Sequence, residues 1–140
     1  VYGNYFTENN KMKIIKYCEK NNLKIYSLSY FNEWTENKIS LNGDEFINYF
    51  KNAEIIFTST FHGIIFSYKF KKNFWFENDP RKISKSEYFI NKLNLNERLI
   101  DSSQNFDLKV DYNASKEIFK EWQNLSQNYL LKAINDNIKN

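Results

Sequence analysis

Apolar residues recur along the chain at two spacings, and the switches between them lay out the elements. From Asn9 to Asn22, Met12, Ile14, Ile15, Tyr17 and Cys18 fall at helical spacing, and the Asn21-Asn22 pair ends the run. Leu23 to Leu28 (LKIYSL) alternates and is bounded by Asn and Ser, which predicts a strand. A polar loop with Trp34 inside it follows through Ser40. Gly43-Asp44-Glu45 then opens a short helix, carboxylates in its first turn and Phe46, Ile47, Tyr49 and Phe50 on one side. Ala53 to Thr58 (AEIIFT) is nearly continuous in apolar character, as a strand buried on both faces requires. Thr60 to Phe70 returns to helical spacing, Asn73 to Phe76 (NFWF) is a short strand, and Ser84 to Leu93 is a helix carrying Phe89, Ile90 and Leu93.

The N-terminal Val1-Tyr2-Gly3 has neither the charged start nor the apolar core of a leader peptide and reads as the end of a strand already under way, in a piece of a longer protein. The order is therefore β-α-β-α-β-α-β-α. Parallel neighbours need crossover connections, so the expectation is an α/β fold with a parallel sheet covered by helices. A last helix runs from Ala114 to about Ile138, with Asn113 as N-cap. Ile118, Trp122, Leu125, Tyr129 and Ala133 form its apolar stripe, widened by Phe119, Leu130 and Ile134. At roughly 37 Å it is longer than a small sheet is deep, so part of it is expected to lean on something outside this sequence. The chain divides into an α/β unit, residues 1–112, and a long C-terminal helix, residues 113–140, packing on it.

Composition narrows the class. With 140 residues, 19% of them aromatic, the chain can build one real core, and with three Gly and one Pro it is no linker or low-complexity segment. No apolar stretch approaches the ~18 residues of a bilayer span. A single Cys and a single His exclude a disulfide framework and a His/Cys zinc cage, which places the domain in a reduced, cytoplasmic setting with no metal and no cofactor. The net charge of +3 is no nucleic-acid footprint, because no run of five basic residues occurs and the Lys-over-Arg skew follows AT-rich coding. The densest cluster, Lys69, Lys71 and Lys72, is a solvated face at a helix C-terminus.

Two segments carry candidate chemistry. Glu54 to Gly63 (EIIFTSTFHG) joins a buried strand directly to a helix and sets the one histidine, His62, in the helix's first turn. Ligands of parallel sheets bind beyond the carboxyl ends of the strands, and a helix N-terminus there favours an anion. Thr58, Ser59 and Thr60 add hydroxyl donors, and Gly63 lets backbone or ligand come close. The same residues also suit a plain helix cap with a packed histidine. Glu77 to Lys82 (ENDPRK) follows the NFWF strand and so emerges at the same sheet edge. Arg81 through a forked contact and Lys82 as a point charge would complete an anion site, unless the segment is only a solvated turn bent at Pro80. No Gly-rich phosphate loop occurs, no Asp-x-Asp pair follows a strand, and no Gly-x-Ser-x-Gly elbow supports Ser59 as a nucleophile with His62 as its base. Trp34 suits a core edge better than a sugar platform, and the Asn-x-Ser sequons at Asn113 and Asn124 are chance occurrences.

Ala53-Glu54-Ile55-Ile56-Phe57-Thr58-Ser59-Thr60-Phe61-His62-Gly63, followed by the apolar helix to Phe70 and by Phe74-Trp75-Phe76, resembles the C-terminal half of the polysaccharide pyruvyl transferase family. The resemblance runs from about Leu23 to Ile100 and includes Lys82-Ile83 and the ending Leu93-Asn94-Leu95-Asn96-Glu97-Arg98. It implies a Rossmann-like half-domain of a GT-B-like two-domain enzyme, with a cleft shared with an N-terminal half that is missing here; alone, this piece would be inactive. The implied reaction moves a pyruvyl group from phosphoenolpyruvate to a sugar hydroxyl of a cell-surface polysaccharide. In it His62 binds phosphoenolpyruvate or acts as the catalytic acid that protonates its methylene carbon, Ser59 and Thr60 donate to the anion, and Lys82, with Arg81 in reserve, holds phosphate or carboxylate. The partners are then a small-molecule donor and a saccharide acceptor, with no nucleic acid. Two alternatives remain: the nucleotide-sugar-binding half of a GT-B-type glycosyltransferase, and a non-catalytic binding module.

Overall fold

The first three helices begin where a side chain satisfies a first-turn amide. A computed structural model describes residues 1–81, 83–102 and 105–138. Thr7 caps α1 (Glu8–Lys20) by accepting from the Asn10 amide. Asn42 and Glu45 form a reciprocal capping box on α2 (Gly43–Asn52). Thr60 caps α3 (Phe61–Lys69). Helices α4 (Ile83–Lys92) and α5 (Lys116–Ile138) complete the set among the described residues.

The strands are short and pair in parallel. Tyr26–Leu28 (β1) pairs with Glu36–Lys38 (β2), and Ile56–Thr58 (β3) with Phe74–Phe76 (β4). Val1–Gly3 lies between the two pairs. The Val1 carbonyl accepts from Leu28 N–H (3.0 Å), Tyr2 N–H donates to the Phe57 carbonyl (2.9 Å), and the Tyr2 carbonyl accepts from Ser59 N–H (3.2 Å). A parallel bridge from Phe76 to Leu99 extends the far side. Across the layer the order is β2, β1, Val1–Gly3, β3, β4, Leu99. This is a mixed α/β architecture of short parallel strand pairs with five helices.

β2 corrects the sequence reading, which has a loop there. Glu36-Asn37-Lys38 shows no apolar alternation because it lies at the edge. Its backbone pairs with β1, while Glu36 meets Lys24 at 2.8 Å and Lys38 sits over the Tyr26 ring.

Period-2 alternation divides the core between the two faces. Ile56, Phe74 and Phe76 join Leu28, Phe50, Ile64, Tyr68 and Phe89 in a cluster with α2, α3 and α4. Phe57 and Trp75 face the other way and pack with Ile14 and Cys18 of α1, Phe6, Ile100 and Phe106. Cys18 is a buried free thiol inside this second cluster. The first turns of α5 join the first cluster: Phe119 packs on Tyr68 (4.5 Å between centroids), and Trp122 meets Phe89 and stacks on Tyr88. Beyond Trp122 the helix leaves Leu125, Leu130, Leu131 and Ile134 exposed and Tyr129 75% exposed, while Gln123, Ser126 and Gln127 line a cavity shared with Phe61, Ile65 and Tyr88. None of the described helices is long and apolar enough to cross a membrane.

One charged side chain is built into this core. Arg98 is 1% exposed, its guanidinium 4.8 Å from the Trp75 ring centroid. It donates to the carbonyls of Leu108 (2.7 Å) and Lys109 (2.9 Å) and to Glu97 (2.9 Å), tying the segment before α5 back to β4. Arg98→Ala leaves the Leu108 and Lys109 carbonyls without their donor and a cavity over Trp75, and should lower stability by about 3 kcal/mol. Urea denaturation would read this as a lower midpoint at unchanged slope. An unchanged midpoint would show that these contacts are dispensable.

Candidate functional site

β3 ends in three hydroxyl residues because the chain must turn sharply from the sheet into α3. Thr58 Oγ1 donates to the Tyr2 carbonyl (2.6 Å) and accepts from Thr60 N–H (3.1 Å). Thr60 Oγ1 accepts from Gly63 N–H (3.0 Å), and Ser59 Oγ accepts from Tyr5 N–H (3.2 Å). The turn tolerates no extra atoms: a Cβ on Gly63 would lie 1.9 Å from Thr58 Oγ1, and one on Gly3 2.2 Å from Ser59 Oγ. Gly3 also has φ +133°, a conformation that favours glycine. With the Gly63 amide capped, the amides of Phe61 and His62 in the first turn of α3 are left for a ligand, at the positive end of the helix.

His62 is exposed, its ring edge-on to Phe61. Together with Ser59, Thr60, Asn78, Asp79 and Lys85 it lines a cavity of about 470 Å³ beyond the carboxyl ends of β3 and β4. The loop after β4 is brought there by the Glu77 amide, which donates to the Thr58 carbonyl (2.9 Å) and carries the strand pairing one residue further.

Of the residues singled out in the sequence, Ser59, Thr60 and His62 share this cavity. Arg81 does not line it; its guanidinium is engaged by Asp79 at 2.8 Å and 2.9 Å. Lys82 lies outside the described residues. Tyr30, Lys85 and Ser86 line the cavity without standing out in the sequence, and Asn78 and Asp79 line it from the ENDPRK segment, where the sequence reading gives roles only to Arg81 and Lys82. Asp79 sits inside a turn-like ENDP string, and Lys85 is one lysine among many; neither bears a local signal. Trp34 packs edge-on against Phe6 at the border of the second cluster, away from the cavity's lining. No group of three His, Cys, Asp or Glu side chains among the described residues is arranged to hold a metal ion.

Glu77, read as part of a polar turn, is instead 2% exposed and supports the site from behind. Its Oε1 accepts from the Thr7 amide (2.7 Å), so a residue from the end of β4 takes the place of the carboxylate arm of a capping box at the start of α1. Burial pushes its carboxyl above the usual carboxylate range, and the Thr7 amide offsets only part of that. An acid whose folded-state value is raised favours the fold while protonated, and that contribution is lost as pH rises from its unfolded value through its folded one. Glu77→Gln keeps the acceptor for Thr7 and removes the charge. It should raise the urea midpoint at neutral pH and leave it nearly unchanged at about pH 4, where both forms are neutral. A lower midpoint at neutral pH would mean that the fold needs the carboxylate.

Comparison with known proteins bears on the same region. Neither the curated proteins nor the solved structures contain a significant match. The family described as Polysaccharide pyruvyl transferase matches residues 2–80, from the central strand segment through the turn at Ser59–His62 to the loop after β4, and stops one residue short of Arg81. Since that match covers more than half of the chain, the chain belongs to the polysaccharide pyruvyl transferase family.

Proposed function

We propose that the chain is the C-terminal, donor-binding half of a transferase that moves the pyruvyl group of phosphoenolpyruvate onto a saccharide diol as a ketal. One observation carries this reading: Ser59, Thr60, His62 and Lys85 line a single cavity at the N-terminus of α3. The donor is small and carries both a phosphate and a carboxylate, so it needs donors and positive charge at close quarters. A nucleotide sugar would need a flat apolar slot as well. The segment order β2, β1, Val1–Gly3, β3, β4, Leu99 reads 3-2-1-4-5-6 in chain order, which supports a Rossmann-like half of a GT-B-like enzyme and puts the cavity beside the point where the order reverses.

In this mechanism protonated His62 gives its proton to the methylene carbon of phosphoenolpyruvate, which becomes the methyl group of the product. Positive charge develops at C2, a first sugar hydroxyl adds there with loss of its proton, and the C–O bond to phosphate breaks. The second hydroxyl closes the ketal. Of the two hydroxyl protons, one restores His62 and the other leaves with phosphate. Ser59 uses a lone pair on Tyr5 N–H and offers its hydroxyl proton to the anion; the Thr60 hydroxyl accepts from Gly63 N–H and lies 3.3 Å from Thr58 Oγ1, so it must turn from Thr58 to reach the anion. Lys82 enters as a second cation on the family resemblance alone. A missing N-terminal half would complete the cleft and supply most acceptor contacts, and the metabolic origin of the donor sets the reaction in the cytoplasm.

Titration calorimetry tests this directly. Phosphoenolpyruvate should bind the chain, and His62→Ala should weaken binding about tenfold, the worth of one charge-assisted contact. Binding of a uridine diphosphate sugar with no response to phosphoenolpyruvate would replace this reading with the glycosyltransferase one.

A further inference from the structure

Asp79 presents a difficulty for any anion entering the cavity. It is 3% exposed and lines the same wall as Ser59, Thr60 and His62, so its carboxylate opposes a phosphate at short range. Both of its oxygens are engaged by one residue. Oδ1 accepts from Arg81 Nε (2.8 Å) and from the Arg81 backbone N–H (3.0 Å), and Oδ2 accepts from Arg81 Nη2 (2.9 Å). This is the forked geometry in which guanidinium best offsets a carboxylate. The guanidinium also lies 5.4 Å from the Tyr5 ring centroid, on the loop whose Tyr5 amide donates to Ser59 Oγ. Arg81 is thus held from two sides while its side chain stays largely exposed and outside the cavity lining.

We infer that Arg81 is a positioning residue that acts on the donor cavity through Asp79, masking the Asp79 charge and fixing the carboxylate in the wall, and that it does not itself touch the anion. This rests on the cavity being the donor site. Removing Arg81 makes the wall one charge more negative, whatever else Asp79 meets. Removing the Asp79 charge as well should cancel the effect. A residue that contacts the anion directly would give a different pattern, because its loss cannot be repaired at Asp79.

The test uses the whole chain in four forms: unchanged, Arg81→Ala, Asp79→Asn, and both together. Each is titrated with phosphoenolpyruvate and, separately, with inorganic phosphate, by calorimetry and by following the C2 proton resonance of His62, the one histidine. Arg81→Ala should weaken phosphoenolpyruvate about tenfold, Asp79→Asn should bind at least as tightly as the unchanged protein, and the double variant should return to within about twofold of it. A double variant as weak as Arg81→Ala overturns the inference and makes Arg81 a direct ligand. If only inorganic phosphate binds but the four forms keep this ranking, the masking role stands and the donor assignment falls. If neither anion binds the unchanged chain, both fall. Arg81→Gln replaces Arg81→Ala wherever loss of the chain over Tyr5 lowers the melting temperature.

Discussion

The seam at Val1–Gly3 is the constraint on which the rest depends. Two short parallel pairs would otherwise be separate ribbons, each too small to be stable alone. Val1 and Tyr2 join them through the backbone, the Val1 carbonyl accepting from Leu28 on one side and Tyr2 donating to Phe57 and accepting from Ser59 on the other. Gly3 makes the joint possible, since its Cα sits where a side chain would meet Ser59 Oγ. The residue that closes the sheet therefore also fixes where the first hydroxyl of the site can stand. Stability of the layer and geometry of the cavity share one contact.

A second theme is the use of charge where burial makes it costly. Arg98, Glu77 and Asp79 are each nearly inaccessible; Arg98 reaches Leu108 and Lys109, Glu77 reaches the Thr7 amide across the chain, and Asp79 is gripped locally by Arg81. Arg98 ties the segment before α5 to β4, Glu77 ties the start of α1 to the end of β4, and Asp79 organises the loop between β4 and α4. All three lie within or just beyond the second strand pair. Apolar contacts make up the two cores, while these polar ones determine which loops stand beside the cavity.

Much of this was legible in the sequence, and the gaps have physical causes. Helix positions follow from 3.6-residue periodicity, so α1 to α5 lie within a residue or two of their expected bounds, although α5 starts at Lys116, past the expected cap Asn113. The buried runs IFT and FWF announce a sheet covered on both faces. β2 has no such signature because an edge strand needs only its backbone to pair, and ENK offers no apolar position to read. Within the site, Ser59, Thr60 and His62 are visible because strand, turn and helix are contiguous there. The partnership of Arg81 with Asp79 is not, since two residues in a polar turn look alike whether they face solvent or one another. Burial of Arg98 and Glu77 runs against the ordinary exposure of their types, and only tertiary placement reveals it.

The far half of α5 follows a different regime from the rest of the chain. Past Trp122 its large apolar side chains Leu125, Tyr129, Leu130, Leu131 and Ile134 are exposed, and helical segments of that length with so little apolar burial are marginal in water. Its amides should therefore exchange with solvent through local fraying, orders of magnitude faster than those of β3 and β4, whose exchange waits on global unfolding. Opening free energy then falls steeply along one continuous helix, and the point where it falls marks the edge of the cooperative unit.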